Sequence, residues 1–214
     1  MSAPTKTVRA VALAAALALA ALGCRSTGDA PPSAGAVFEE ALVAPDENGS
    51  LAALAALQPA DVYVRPVLDA TASFAAPVAE LRRALYEGLV ERLYTPLELG
   101  WADARVAELG DAAGDVARVD AALGVDAILE VRLVAWDESA LERDGLVRAT
   151  VEARLLDPAA PDQPLWGFVL GREVDVGGPS SRRATRDVLA GQVAKTLAGE
   201  LLALLPMRDA RLAP

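Results

Sequence analysis

The sequence predicts an α/β sandwich: a mixed, largely antiparallel sheet with helices packed on it, the longest helix at the C-terminus. Three observations lead there. Apolar and polar residues alternate in "DAILEVRLVAW", "LVRATVEARLLD" and "LWGFVLGREVDV", the period of strands with one buried face. Apolar residues recur at three- and four-residue steps from Val78 to Leu93 and from Leu189 to Leu205, the stripe of amphipathic helices. A hydrophobic fraction of 53% in 214 residues lets a single domain bury a sizeable core.

Taken in order, "SLAALAAL" suits a short helix capped by Ser50, after the turn chemistry of "PDENGS". "DVYVRPVLD" from Asp61 sends Val62 and Val64, then Val67 or Leu68, toward a core, and Pro66 puts a bend or an edge within that strand. Val78, Leu81, Leu85, Leu89 and Leu93 line one side of a helix opened by Pro77, with Arg82, Arg83, Glu87 and Arg92 largely on the other. "YTPLELGWAD" (Tyr94–Asp103) reads as a short extended segment, and a second helix is expected across Gly114–Leu123, capped by Gly124.

The strand Asp126–Trp136 places Ile128, Glu130, Arg132, Val134 and Trp136 on one face; Leu129, Val131, Leu133 and Ala135 form the other, which alone is uniformly apolar. A hairpin loop, "DESALERDG", ends in Asp144-Gly145. The next strand turns Val147, Ala149, Val151, Ala153 and Leu155 inward and Arg148, Thr150, Glu152 and Arg154 outward. Trp166, Phe168, Leu170, Val174 and Val176 share one parity and complete a meander. Leu189, Val193, Leu197, Leu201 and Leu205, widened by Ala190, Ala194 and Leu204, lay the last helix on the sheet before Pro206 stops it.

The opening of the chain has a different character. Lys6 and Arg9 precede an uncharged run, Ala10–Leu22, shorter than the roughly 20 apolar residues a spanning helix needs, so it reads as an export signal. "ALGC" (Ala21–Cys24) resembles the lipobox of bacterial lipoproteins, whose cysteine is lipidated, although Ala21 and Leu22 stand in the reverse of the usual order. Cys24 is the only cysteine and has no disulfide partner in the chain, which a lipid attachment explains. The organisation expected is a signal peptide over 1–23, a lipidated N-terminus and flexible linker over 24–59, one α/β domain over 60–206 and a tail over 207–214.

Charge and composition narrow the function. The formal net charge is −10, and without residues 1–23 it becomes −12, because Lys6 and Arg9 are lost and no acidic residue is. Nucleic acid is therefore not an expected partner. Histidine is absent, removing the commonest general base and metal ligand, so no catalytic residue, metal or cofactor is expected. Asp61, Asp69, Glu98, Asp103, Glu130, Asp137 and Asp157 fall at or near strand ends, where turn and cap roles compete with acid–base pairing. Arg182, Arg183 and Arg186 gather at the start of the last helix as a candidate anion or partner contact. Tyr94, Trp136 and Trp166 are candidates to line a groove, or else the large members of the core.

On "AALGVDAILEVRLVAWDES", with "GVDAIL" (Gly124–Leu129) entering a central strand, and on "DPAAPDQPLW" (Asp157–Trp166) leading into the next, the chain resembles a group of periplasmic lipoproteins. These share the α/β domain of the curli-secretion channel subunit and the penicillin-binding-protein activator lipoprotein. The resemblance covers about residues 60–206 and transfers no catalytic residue. It implies a non-enzymatic protein of the cell envelope that works through protein contacts, as a homo-oligomer or as an accessory to a secretion, transport or cell-wall system. No long alternating segments suited to transmembrane β-hairpins are present, which separates it from the channel type. Arg25 after the cysteine, in place of aspartate, points to an outer-membrane anchor facing the periplasm. The competing reading is an accessory lipoprotein of a lipid or solute transporter that holds an apolar ligand between sheet and helices.

Overall fold

The computed structural model describes residues 50–209 except 72, 74, 75 and 178–183. Its elements run α1 (Ser50–Leu57), β1 (Asp61–Val64), β2 (Leu68–Asp69), α2 (Val78–Glu91), β3 (Thr95–Pro96), α3 (Leu99–Ala107), a 3-10 turn (Gly110–Gly114), α4 (Val116–Leu123), β4 (Ala127–Ala140), α5 (Leu141–Asp144), β5 (Leu146–Leu156), β6 (Pro164–Asp175) and α6 (Arg186–Ala203). One mixed sheet orders its strands β3-β1-β4-β5-β6, and β2 pairs with β4 further along. The short pairs β1–β3, β1–β4 and β2–β4 are parallel; the long meander β4–β5–β6 is antiparallel.

The predicted sandwich is present, and local chemistry explains its joints. Pro66 supplies no amide hydrogen and sits where the edge strand breaks between β1 and β2. Asp126, within the quoted "GVDAIL" step, accepts hydrogen bonds from the amides of Ala60 (2.8 Å) and Asp61 (3.0 Å), fastening the start of β1 to the start of β4. Immediately before it, Gly124 closes α4 with φ 65°, a left-handed turn that costs glycine little. At the far end of the β4–β5 hairpin, Gly145 has φ 73°, and a Cβ there would lie 2.5 Å from the backbone of Gly177. The hairpin loop is tighter than expected, because β4 runs on to Ala140 and α5 makes the turn.

The main core lies between the sheet and the pair α2 and α6, which run side by side in the same direction, Glu80 against Gly191 at one end and Gly88 against Leu202 at the other. Leu81, Leu85 and Leu89 of α2 and Leu189, Val193, Leu197 and Leu201 of α6 meet the inward faces of all three meander strands, each fully buried aliphatic side chain contributing about 1.5–3 kcal/mol. Leu93 does not join them: it takes φ 67° just past the helix and is exposed. Leu54 of α1 does, although the sequence reads that segment as linker.

On the other face, α3 and α4 enclose a smaller core around Tyr63, Ala102, Val119, Val125 and Ile128. This layer was not foreseen in full. The residues expected to be extended after Pro96 form α3, whose first amides, Gly100 and Trp101, are capped by the Glu98 carboxylate at 2.9 and 2.5 Å. Glutamate is an unusual cap, so the sequence carried only a weak start signal. The strand parity also needs one correction. A register shift between Leu133 and Ala135 inserts Val134 into β4, and the bulge returns Trp136 to the main core rather than leaving it beside Glu130 and Arg132.

Candidate functional site

The outer face of the sheet divides into two regions. Over β1 and the start of β4 it is covered by α3 and α4; over the rest of β4 and β5 it carries charged side chains. At the boundary lies a groove of about 380 Å³ lined by Arg65, Pro66, Leu68, Glu130, Val131, Arg132, Glu152 and Arg154.

Backbone register assembles its walls. Pairing of β2 with β4 sets Leu68 beside Arg132, and pairing of β4 with β5 sets Glu130 opposite Arg154 and Arg132 opposite Glu152. Arg65, at the strand break, reaches back to Glu130 and also donates to the carbonyls of Ala113 (3.0 Å) and Gly114 (3.2 Å), tying the groove to the turn before α4. Arg154 pairs with Glu152. The Arg132 side chain is exposed and makes no hydrogen bond or ion pair among the described residues. Three arginines against two glutamates make this a locally positive spot on an acidic protein. Leu68 beside it is 60% exposed, and Val134, two residues along β4, is 41% exposed.

Between α2 and α3, Arg82 donates to both carboxylate oxygens of Asp103 at 2.6 Å and to the Val64 carbonyl at 2.7 and 3.1 Å, while the Tyr63 hydroxyl donates to Asp103 at 3.1 Å. The Arg82 bonds hold the Asp103 carboxyl below the usual carboxylate range. Burial, reinforced by the Asp103 charge, pushes Tyr63 up to about 12. This network joins α2, β1 and α3, so Arg82 is not the solvated residue its helical position suggested.

The residues singled out in the sequence have other employment. Trp166 is fully buried and donates to the Leu204 carbonyl (3.2 Å); Trp136 donates to Glu138 (2.8 Å); Tyr94 is buried and donates to the Pro206 carbonyl (3.0 Å). All three belong to the main core, each with its polar atom satisfied from within, and they do not converge on a groove. Tyr94 also borders a cavity of about 120 Å³ near Leu51, Leu54 and Met207. Arg186 is committed to Glu138 and Asp187, and α6 begins at Arg186, so Arg182 and Arg183 precede that helix and lie outside the described residues, as does Cys24.

The strand-end carboxylates act locally. Asp69 accepts from Thr71, Glu98 caps α3, Asp103 binds Arg82, Glu130 binds Arg65, Asp137 accepts from the Ser139 amide and Asp157 from the Ala159 amide. Among the described residues no group of three or more metal-ligating side chains comes together, and no helix is long and apolar enough to cross a membrane. The groove itself was half visible in the sequence. Glu130, Arg132, Glu152 and Arg154 break the apolar pattern on one face, but nothing there announced Arg65 or Leu68 as neighbours.

No model of a known protein family matches the chain, and no curated protein matches it. Several solved structures are similar to the chain at low identity. Lipoprotein GNA1162 from Neisseria meningitidis is 15% identical, with a TM-score of 0.48 over 69% of this chain and 99% of that one. The PelC dodecamer from Paraburkholderia phytofirmans is 14% identical, with a TM-score of 0.49 over 71% and 91% of the two chains. LpoB of E. coli is 16% identical, with a TM-score of 0.38 over 79% and 86%.

Proposed function

We propose that this chain is a lipid-anchored protein of the cell envelope that acts by contact with other proteins, as a scaffold or accessory component, and that the uncovered outer face of its sheet is the surface it offers. The observation that carries the reading is the abrupt end of helical cover at the β1–β2 break. There the unpaired Arg132 side chain stands beside the exposed Leu68, with the exposed Val134 two residues further along β4. A merely solvated antiparallel face needs no such apolar residues.

The anchor rests on the sequence: a leader too short to span, followed by the single cysteine at 24. Two acyl chains on Cys24, each buried methylene contributing about 0.8 kcal/mol, give stable residence where one chain is marginal. Arg25 favours the outer membrane, facing the periplasm. The rival reading, an apolar ligand held between sheet and helices, draws less support. The groove of about 380 Å³ is walled by five charged side chains, and the more apolar cavity of about 120 Å³ falls below the usual ligand range of roughly 300–1,000 Å³.

The test is site-specific photocrosslinking in intact envelopes, with the reactive side chain at Val134 on the open face or at Lys195 on the exposed side of α6, in chains with Cys24 and with Cys24→Ser. Discrete protein adducts from Val134 and not from Lys195, diminished when the anchor is removed, are expected. Equal labelling from both positions, or none from either, overturns the contact reading. An unmodified thiol at position 24 in mass spectra of the native N-terminus overturns the anchor.

A further inference from the structure

We infer that the groove at the β1–β2 break binds an acidic, leucine-bearing segment of a partner protein in extended conformation, with a partner carboxylate on Arg132 and an apolar side chain on Pro66 and Leu68. The inference rests on the contact reading above and gives its surface a ligand chemistry.

Charge accounting selects the anion. Four of the five charged residues in the groove already have partners: Arg65 with Glu130, and Arg154 with Glu152. A basic ligand would have to displace a guanidinium from a glutamate, and a second neutral surface would bury Arg132 uncompensated. An incoming carboxylate meets Arg132 directly and can take two of its N–H donors without breaking an existing pair. Arg132 is also held ready, since its backbone is fixed between β2 on one side and β5 on the other.

Shape selects an extended peptide. The groove is shallow enough to leave Leu68 60% exposed, whereas a small-molecule site usually encloses about 70–90% of its ligand. A peptide belonging to a larger partner gains its remaining contact area from the sheet around it. In an extended chain the side chains i and i+2 project from one face about 7 Å apart, which is within reach of an arginine and its neighbour on the adjoining strand. The recognised pattern is therefore an acidic residue and an aliphatic one separated by a single residue. The net charge of −10 repels acidic chains at a distance, and screening beyond about 10 Å at 0.1 M salt confines the choice to the groove.

The experiment uses the full-length protein in detergent and a capped peptide of Asp-Ser-Leu-Ser repeats, with Asn-Ser-Leu-Ser repeats as the uncharged control, read by surface plasmon resonance. The acidic peptide is expected to bind saturably and the control about tenfold or more weakly, the loss of one charge-assisted contact. Arg132→Gln abolishes the difference between the two peptides, and Leu68→Ser weakens both. Arg148→Gln, on the same face but paired with Glu173 outside the groove, changes neither. A melting temperature unchanged in Arg132→Gln shows that its fold is intact. Absence of binding, equal binding of both peptides, or an undiminished preference in Arg132→Gln overturns the inference. So does competition by inorganic phosphate at the same concentration as the peptide, which would assign the groove to a small anion. If Val134 photocrosslinks persist in Arg132→Gln while the peptide fails to bind, the contact surface stands and only this ligand assignment falls.

Discussion

Two arginine–carboxylate pairs on opposite sides of the β1–β2 break differ in what they hold. Arg82 of α2 and Asp103 of α3 meet at Tyr63 and the Val64 carbonyl of β1, their side chains 12% and 38% exposed. Arg148 and Glu173 lie on the open meander, each about half exposed. The same chemical pair is a joint between three elements in the first place and an ornament of the surface in the second. Desolvation and the number of further hydrogen bonds decide the difference. The covered region ties its charge pair to three elements, whereas on the open meander Arg148 and Glu173 hold each other across neighbouring strands.

The largest expected contrast lies along β4 itself. Ile128→Ala should lose about 2–5 kcal/mol of unfolding free energy, while Arg132→Ala, a few residues along the same strand, should stay within about 0.5 kcal/mol. Urea unfolding of both variants measures this, and similar losses would dissolve the distinction between the two regions. Next, Arg82→Met strands the Asp103 carboxylate and the Val64 carbonyl and should cost about 1–3 kcal/mol. Arg148→Met should cost about 0–1 kcal/mol.

Smaller effects appear away from neutral pH. The folded-state pKa of Asp103 is depressed, first by the hydrogen bonds from Arg82. Its contribution is thus present above the ordinary carboxylate range and lost as acid takes the pH down through the depressed value. Asp103→Asn should flatten the acid limb of the stability curve measured by urea titration at a series of pH values. At the alkaline side, Tyr63 and Tyr94 are both raised to about 12, chiefly by burial. Their contribution is present below the unfolded value of about 10 and disappears as the pH climbs from there toward 12. Tyr63→Phe and Tyr94→Phe should each lessen that decline, and a decline unchanged in both would mean the hydroxyls stay wet.

The covered and open regions also differ in how plainly the sequence spells them. The meander and the two long helices were legible because each repeats its apolar period over ten or more residues. Pro66 announced the edge-strand break and Gly124 the end of α4. The helical cover was half hidden, since α3 is nine residues long, contains Gly100 and starts on a glutamate cap. Trp136 was misplaced because one inserted residue, Val134, reverses strand parity without leaving any compositional trace. The groove depends on register between strands distant in sequence, Leu68 beside Arg132 and Arg132 opposite Glu152. Single-segment patterns carry no such information.

Gln58, Arg92 and Arg208 make the two ends of the folded body neighbours. Arg208 donates to the Gln58 carbonyl at 3.1 Å and to the Arg92 carbonyl at 3.1 Å, and the Asp209 amide donates to the Gln58 side chain at 3.0 Å. Within the described residues, Gln58 and Asp209 thus lie together near the start of β1, and the β4–β5 turn closes the far end of β4, a strand length of roughly 35 Å away. A reporter domain fused after Asp209 would crowd whatever holds the body by its N-terminal side, whereas a small epitope spliced between Ser139 and Gly145 would stand clear of it.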